Sequence, residues 1–313
     1  MKKYVFGIDV GGTTVKCGLF KRNGEVLEKW EIVTRTEDKG KNILPDVGDT
    51  VLAKIDEHKL DKEEVVGIGI GVPGPVKADG TTSVAVNLGW GFKDIAGELK
   101  AHTGLDVKAG NDANVAALGE MWQGGGQGHN DLIMVTLGTG VGGGIIVNGQ
   151  IVTGVHGAGG EIGHARVDME EKEACNCGNH GCLEQTASAT GIVKWAHREL
   201  AASDEASLLR EMEVNAKTVF IAYRQGDAIA TRVVERFAET LGHSLAIYCC
   251  VVDPGAIVIG GGVSKEGPLL TQLIKEYFVR DAFSPCKDTD IVLAQLGNDA
   301  GIYGAAKLVI DVE

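Results

Sequence analysis

Three cysteines within eight residues are the most specific group of chemically active side chains in this 313-residue sequence. They are Cys175, Cys177 and Cys182, in the pattern Cys-x-Cys-x4-Cys. Three thiolates and one further ligand would make a closed, tetrahedral zinc site of the structural kind. His164 and His180 are the candidates for the fourth position. Since His180 lies in the short loop between two proposed ligands, where the geometry is poor, we favour His164.

Two glutamates flank this cysteine cluster. Glu161 precedes His164 by three positions, and Glu184 follows Cys182 by two. A bound zinc ion would fix the loop that ends at Glu184 and direct both carboxylates to the same place. Paired carboxylates are good acceptors for the hydroxyl groups of a sugar. Taken alone, Glu184 could equally be a surface residue.

A third carboxylate, Asp112, lies where a predicted strand is followed by a predicted helix. An aspartate at such a position is a good N-cap, which is the structural alternative. Asn111 and Asp112 also offer a sugar an amide and a carboxylate at adjacent positions. Phosphoryl transfer to a hydroxyl needs positioning and a group that accepts the proton of the nucleophile. The spacing therefore leaves two interpretations of Asp112, a helix cap and a general base.

Glycine accounts for 46 residues and clusters at the ends of predicted strands. Two clusters are turns, Gly11 to Thr14 and Gly138 to Gly140, whose backbone N–H groups could bind phosphate without a helix. A third, Gly260 to Gly262, would let an adenine ring lie against bare backbone. Asp9, beside the first turn, could hold a magnesium ion directly or through water, or it could cap its own turn. Together these positions predict a nucleoside triphosphate site.

The order of predicted elements contains an internal repeat. A strand, a glycine turn, a second strand, an Asn-Gly hairpin signal and a third strand occur from residue 5 and again from residue 132. The predicted strands are 5–8, 15–20, 26–33, 65–72, 105–109, 132–137, 145–147, 151–152, 256–259 and 290–294. The predicted helices are 43–56, 94–102, 113–122, 187–202, 205–224, 227–251, 266–279 and 299–309. The repeat indicates two copies of one strand-hairpin-helix unit.

Composition and charge exclude several classes of protein. The formal net charge is -13 and the pI is near 5.1, so the protein repels nucleic acid and anionic membranes. No run of apolar residues approaches the length of a membrane span. The odd count of 7 cysteines favours a reducing, cytoplasmic location over a disulfide framework. Two matches to the dinucleotide fingerprint, at 69–74 and 138–143, lack the helix that must follow them, and no P-loop motif is present.

Together these residues resemble the ROK family (repressors, open reading frames and sugar kinases), and within it the bacterial ATP-dependent glucokinases. The resemblance covers essentially the whole chain. Its most specific part is the segment from Cys175 to Glu184, which fits the family pattern Cys-x-Cys-Gly-x2-Gly-Cys-x-Glu at every fixed position. The other matching segments are Asp9 to Thr13, Leu137 to Gly144, Glu161 to His164 and Ile259 to Gly262.

The resemblance implies an actin-like (ribonuclease H-like) α/β fold of two domains with an interdomain cleft, usually as a homodimer. We expect a smaller domain of residues 1–121 plus about 300–313, and a larger domain of 122–299 that carries the zinc-bound loop. The implied reaction is ATP-dependent phosphorylation of glucose at the 6-hydroxyl, with ATP, Mg²⁺ and structural Zn²⁺ as cofactors. No nucleic acid or membrane partner is expected.

The resemblance also implies a role for each site residue. Asp112 is the catalytic base. The residues expected at the sugar are Gly74, Asn87, Asn111, Asp112, Glu161, His164 and Glu184. Those expected at the nucleotide are Asp9, Gly11, Gly12, Thr13, Thr14, Lys16, Gly138, Thr139, Gly140, Gly260, Gly261 and Gly262. The expected zinc ligands are His164, Cys175, Cys177 and Cys182, so that His164 serves both metal and sugar.

The sequence leaves two alternatives to a glucokinase. The chain could be a kinase for another hexose, such as N-acetylmannosamine, fructose or allose, or one that uses polyphosphate. It could also be a sugar-sensing repressor of the same family. Those repressors carry a DNA-binding segment of several dozen residues ahead of the first glycine turn, whereas here the turn begins at Asp9 and the charge is acidic.

Overall fold

The computed structural model describes residues 2–310. Its strands are β1 (Tyr4–Val10), β2 (Thr14–Lys21), β3 (Val26–Val33), β4 (Val65–Val72), β5 (Thr81–Thr82), β6 (Lys93–Asp94), β7 (Val107–Asn111), β8 (Leu132–Leu137), β9 (Val141–Val147), β10 (Gln150–Ile151), β11 (Ala256–Gly260) and β12 (Asp290–Leu293). Its α-helices are α1 (Glu37–Gly40), α2 (Ile43–Glu57), α3 (Ile95–Thr103), α4 (Asp112–Gln123), α5 (Glu184–Ala187), α6 (Ala189–Ala202), α7 (Ala216–Arg224), α8 (Ala228–Val252), α9 (Pro268–Asp281) and α10 (Ala300–Ile310).

The described chain forms two compact units. The first contains residues 2–130, 144–160 and 295–310, and the second contains 131–143 and 161–294. Segment 144–160 thus belongs to the first unit, although the sequence-based division placed it in the larger domain. The division into domains of residues 1–121 plus about 300–313 and of residues 122–299 stays a prediction.

The sheet of the first unit has the strand order β3-β2-β1-β4-β7. Strands β1, β4 and β7 are parallel, while β2 and β3 run antiparallel to their neighbours. All eight residues of β4 are buried, as expected for a central strand covered on both faces. Asp9 of β1 is level with Gly71 of β4, which is level with Gly110 of β7. The carboxyl ends of three parallel strands therefore meet at Asp9 and Asn111, the usual place for a ligand site in such sheets.

Helix α10 packs directly against the main chain of this unit. A Cβ atom on Gly69 would overlap the carbonyl oxygen of Ala305, and one on Gly304 would overlap the carbonyl oxygen of Val115 in α4. Gly7 of β1 is in the same situation against Ile302. Only glycine allows this close approach of helix to sheet and of helix to helix. On the other face of the sheet, buried side chains of α2 and α3 complete the apolar core.

The second sheet has the order β10-β9-β8-β11-β12, in which β11 is parallel to both β8 and β12. All five residues of β11 are buried. The long helix α8 begins at the N-cap Asp227, whose carboxylate accepts a hydrogen bond from the backbone N–H of Ala230. Of residues 2–310, none lies in a helix that is both long and apolar enough to cross a lipid bilayer.

The predicted repeat is confirmed as β1-β2-β3 and β8-β9-β10. Both Asn-Gly signals lie at turns, and Asn148 and Gly149 have φ angles of 53° and 74°, as a type I′ hairpin requires. The predicted start of a strand at 145 is wrong, because β9 begins at Val141 and includes three glycines.

The single helix predicted over 205–224 is also wrong. Only α7 is α-helical there, preceded by a short 3₁₀ turn at Leu208–Arg210. Asn215 and Thr218 form a capping box, in which each side chain accepts a hydrogen bond from the backbone N–H of the other residue. This box starts a new helix at Ala216.

Candidate functional site

Asp9 lies near the carboxyl end of β1, opposite Lys16 of β2. Burial, and secondly the negative charge of Asp112, raise the pKa of Asp9 from 3.8 to about 6, and the Lys16 ammonium opposes this shift. A Cβ atom on Gly301 of α10 would lie 2.5 Å from the Asp9 Cγ, so glycine makes room for this carboxylate. The Lys16 ammonium donates a hydrogen bond to the carbonyl oxygen of Asn298 at 3.0 Å. Asp9 is thus a carboxylate whose charge is incompletely compensated within the protein.

The first glycine turn joins β1 and β2 directly beside Asp9. The Gly11 N–H donates to the carbonyl oxygen of Thr14 at 3.0 Å. Thr34 supports the turn from the end of β3, because its hydroxyl donates to the Gly11 carbonyl at 2.7 Å. A Cβ atom on Gly12 would have a single neighbour within 4 Å, the carbonyl oxygen of Asn87 at 3.9 Å. The backbone of the turn is therefore exposed and held in place, as a phosphate-binding turn must be.

Asp112 is the first residue of α4 but not its N-cap. The cap is Asn111, whose side-chain oxygen accepts a hydrogen bond from the backbone N–H of Asn114 at 3.1 Å. The half-buried Asp112 carboxylate accepts a hydrogen bond from the N–H of Ala113 at 2.8 Å. The structural alternative left open by the sequence, that Asp112 caps the helix, is wrong. Its carboxylate lies close enough to Asp9 for the two charges to interact.

Asn111 and Gly74 are joined by a hydrogen bond. The Asn111 amide nitrogen donates to the Gly74 carbonyl at 3.1 Å, so both ends of this amide have partners within the chain. Gly74 has a φ of 97°, and a Cβ atom there would lie 2.8 Å from the Val84 carbonyl oxygen. A glycine is therefore required at this position.

The second unit contains the cysteine cluster. The ligand atoms of His164, Cys175, Cys177 and Cys182 all lie within 4.8 Å of one another. The Cys177 and Cys182 sulfurs are 3.6 Å apart, and the Cys175 sulfur is 3.8 Å from Nδ1 of His164. In a tetrahedral site with Zn–S bonds of about 2.3 Å, ligand atoms lie about 3.8 Å apart. The four residues therefore fit a zinc ion, with His164 rather than His180 in the fourth position.

Glu184, the first residue of α5, lies against this cluster. Its Oε1 accepts a hydrogen bond from the Cys175 thiol at 2.9 Å and is 3.7 Å from Nδ1 of His164. A Cβ atom on Gly140 would lie 2.5 Å from Oε2, so the second glycine turn and the cysteine cluster meet at this carboxylate. Glu161 is exposed and precedes the 3₁₀ turn that carries His164.

The second glycine turn follows β8. The Gly138 N–H donates to the Gly140 carbonyl at 3.0 Å, and the hydroxyl of Thr190 donates to the Thr139 carbonyl at 2.6 Å. A cavity of about 460 Å³ opens beside it; among its lining residues are Thr139, Gly140, Glu184, Thr190 and Lys194.

The third glycine cluster lies at the end of β11. Gly261 has a φ of 84°, and a Cβ atom there would lie 2.6 Å from the backbone of Leu137. A Cβ atom on Gly262 would have no neighbour within 4 Å, so its backbone is open to solvent. The tight turn at Gly261 thus brings an open stretch of backbone next to β8.

The predicted site residues are divided between the units. The first unit holds Asp9, Gly11, Gly12, Thr13, Thr14, Lys16, Gly74, Asn87, Asn111 and Asp112. The second holds Gly138, Thr139, Gly140, Glu161, His164, Cys175, Cys177, Cys182, Glu184, Gly260, Gly261 and Gly262. Sequence reasoning missed Thr34 and Thr190, the two threonines whose hydroxyls hold the glycine turns. Each is about 20 to 50 residues from the carbonyl that it contacts, and no local pattern marks such a pair.

The sequence is similar to those of known proteins over almost its whole length. The sequence model of the ROK family matches residues 5–312. A glucokinase of Halalkalibacterium halodurans is 42% identical, with 98% of this chain and 95% of that protein covered. A glucokinase of Thermotoga maritima is 35% identical, with 98% of each covered.

A solved structure shows the same architecture. It is a ROK family glucokinase from Streptomyces griseus in complex with glucose and AMPPNP, 34% identical, with a TM-score of 0.72. The match covers 97% of this chain and 98% of that one. The predicted actin-like α/β sugar-kinase fold is therefore confirmed.

Proposed function

Because the chain belongs to the ROK family, we propose that it is an ATP-dependent hexose kinase that phosphorylates glucose at the 6-hydroxyl. The names of the similar proteins support this, since both relatives are glucokinases and the solved structure holds glucose and an ATP analogue. The local geometry supports it independently through the carboxylate of Asp112.

The position of Asp112 is the observation on which the mechanism rests. The carboxylate lies half-buried at the carboxyl ends of the parallel strands β1, β4 and β7, one residue beyond the cap of α4. Two negative groups at this sheet edge, Asp9 and Asp112, suit two different tasks. Asp9 adjoins the phosphate-binding turn, so it is the proposed partner of Mg²⁺ or of its water shell. Asp112 is left as the acceptor of a proton.

In the proposed reaction, the 6-hydroxyl oxygen of the sugar attacks the terminal phosphorus of ATP. Its proton passes to the Asp112 carboxylate, and the bond between the phosphorus and the bridging oxygen of ADP breaks. General-base assistance of this kind is worth about 10²–10⁴-fold in rate. Most of the remaining acceleration comes from positioning and charge stabilisation, which suits a protein with two glycine turns.

The phosphates are assigned to the two glycine turns. Gly11, Gly12, Thr13 and Thr14, with Lys16, form the first group. Gly138, Thr139 and Gly140 form the second, and Gly260, Gly261 and Gly262 receive the adenosine. The support is the solvent exposure of Gly11, Gly12, Thr139 and Gly262 and the hydroxyl contacts that hold the first two turns.

The sugar is assigned to Gly74, Asn87, Asn111, Asp112, Glu161, His164 and Glu184. Zinc at His164, Cys175, Cys177 and Cys182 would supply a rigid loop. The Glu184 carboxylate, at the edge of that loop, accepts hydrogen bonds from sugar hydroxyl groups. The second ring nitrogen of His164 is the proposed contact of this residue with the sugar. A homodimer and a cytoplasmic location stay predictions.

A panel of hexoses with ATP in a coupled phosphorylation assay tests the proposal. We expect glucose to give the highest kcat/KM, ahead of N-acetylmannosamine, fructose and allose, and polyphosphate to be a poor donor. No turnover of any hexose would refute the kinase, and preference for another hexose would refute glucose as the substrate.

Asp112→Asn tests the mechanism separately. We expect its kcat to fall about 10²–10⁴-fold with little change in the binding of ATP or sugar. Asp56→Asn, at an exposed position of α2 in the same unit, is the matched control and keeps full activity. An Asp112→Asn variant with more than about a tenth of wild-type kcat would remove this residue from its role.

A further inference from the structure

The loop of residues 172–180, which contains two of the proposed zinc ligands, has little packing of its own. Of its nine residues, Cys175 alone is buried, and the others are exposed. Within the loop, the Cys175 N–H donates to the Asn179 carbonyl and the Gly178 N–H to the Cys175 carbonyl. Such a loop cannot keep its shape through apolar contacts, so polar contacts at its base must do so.

Gln185 makes three such contacts with one side chain. Its Oε1 accepts hydrogen bonds from the backbone N–H groups of Gly181 at 2.8 Å and Cys182 at 3.1 Å. Its Nε2 donates to the Glu173 carbonyl at 3.0 Å. The amide therefore joins the beginning of the loop to its end, at the backbone of a proposed ligand.

An ion cluster holds the same loop on its other side. The Glu171 carboxylate, whose side chain is 3% exposed, accepts hydrogen bonds from both terminal nitrogens of Arg198 at 2.8 and 3.0 Å and from Lys194 at 2.8 Å. Glu173 pairs with the same two cations. Both cations belong to α6, so the chain that leads into the loop is attached to a regular helix.

The ligand atoms lie within 4.8 Å of one another at the base of this loop. We propose that Gln185 is a positioning residue that holds the cysteine loop in its metal-binding shape. All three hydrogen bonds of the Gln185 side chain go to backbone groups and none to a ligand sulfur. Gln185 acts through the backbone of Cys182 and, through the loop, on the neighbouring carboxylate of Glu184.

Zinc affinity is the direct measurement of this role. Gln185→Met keeps the length of the side chain and removes all three hydrogen bonds. Loss of hydrogen bonds that orient a metal ligand lowers metal affinity about 10–100-fold, and we expect a loss in this range in competition with a chromophoric zinc chelator. Gln225→Met, at an exposed glutamine after α7 in the same unit, is the matched control and keeps wild-type affinity.

Steady-state kinetics separate this role from a general loss of folding. For Gln185→Met without added zinc, we expect the KM for the hexose to rise more than kcat falls, and excess zinc to restore the KM. A KM that stays raised at saturating zinc would contradict the proposal, as would unchanged zinc affinity.

Gln185→Glu covers the case in which Gln185→Met fails to fold. A carboxylate still accepts hydrogen bonds from the N–H groups of Gly181 and Cys182. Gln185→Glu should therefore retain a higher zinc affinity than any variant that lacks one of the ligand cysteines. A complete loss of zinc binding in folded Gln185→Glu would overturn the proposal. The inference rests on the proposed metal site. If wild-type protein binds no zinc, the site itself is refuted. If wild type binds zinc and Gln185→Met binds it with equal affinity, only the role of Gln185 is refuted.

Discussion

Replacement of Asp9 by asparagine should stabilise the protein while impairing its activity. Burial and the charge of Asp112 raise the pKa of Asp9 from 3.8 to about 6. The folded protein therefore holds this proton more tightly than the unfolded chain, and ionisation of Asp9 costs folding free energy. Asp9→Asn keeps the size of the side chain and removes the charge. The expected result is a more stable enzyme that binds Mg²⁺ and ATP poorly.

The magnitude follows from the shift in pKa. A difference of about two units corresponds to about 3 kcal/mol at 1.4 kcal/mol per unit. This cost is fully present when pH exceeds the folded pKa of about 6. It declines as pH falls from 6 towards 3.8, and linkage leaves about 1 kcal/mol at pH 4.5. The stabilisation by Asp9→Asn should therefore be about 3 kcal/mol at pH 7.5 and about a third of that at pH 4.5.

Urea unfolding followed by tryptophan fluorescence is a suitable assay, because three of the four tryptophans lie in the first unit. Wild type and Asp9→Asn are compared at pH 7.5 and 4.5, with Asp56→Asn as the exposed control. Repeating the comparison in an Asp112→Asn background should reduce the gain, since the neighbouring charge is the second cause of the shift. Equal stability of Asp9→Asn and wild type at pH 7.5, or a gain that does not change with pH, would refute the reasoning.

Two further substitutions test the metal site and the packing of α10. Cys177→Ser should release zinc and raise the KM for the hexose, whereas Cys250→Ser, at an exposed cysteine of α8, should keep the metal. Metal analysis of the purified variants measures this difference, and an unchanged zinc content in Cys177→Ser would contradict the site. Gly304→Ala should destabilise the protein by about 1–3 kcal/mol, because the new methyl group overlaps the Val115 carbonyl. Thermal unfolding should show a lower Tm for Gly304→Ala than for Gly91→Ala, whose Cβ atom would have no neighbour within 4 Å, and equal values would contradict the packing argument.

Local patterns were sufficient to predict much of the fold. Strands β1, β4 and β8 are mainly apolar runs that are followed directly by glycine or proline, and hairpin turns follow from Asn-Gly pairs that readily adopt positive φ. The cysteine spacing likewise identified a cluster that the structure brings together. In each case the signal and the structure lie within about ten residues of each other.

Most features that the sequence did not predict depend on distant contacts. The cap of α4 is a local exception, because the choice of Asn111 rather than Asp112 depends on the φ/ψ angles of two adjacent residues. The division of the 205–224 region depends on Asp227, whose carboxylate accepts a hydrogen bond from the Leu208 N–H at 2.6 Å. The support of the cysteine loop by Gln185 and Glu171 likewise depends on partners in other elements. Such contacts leave no periodicity in the sequence.

The close fit of α10 against Gly7 and Gly69 has a consequence for the order of folding during synthesis. Every segment of the second unit precedes residue 295, so that unit is synthesised in full before α10. The first unit begins to emerge earlier but must wait, with one face of its sheet bare, until α10 has been translated. Exposed sheet surface in nascent chains promotes aggregation. A chaperone that shields residues 2–130 should therefore increase the yield of folded protein, and slower translation of the segment that encodes α10 should decrease it.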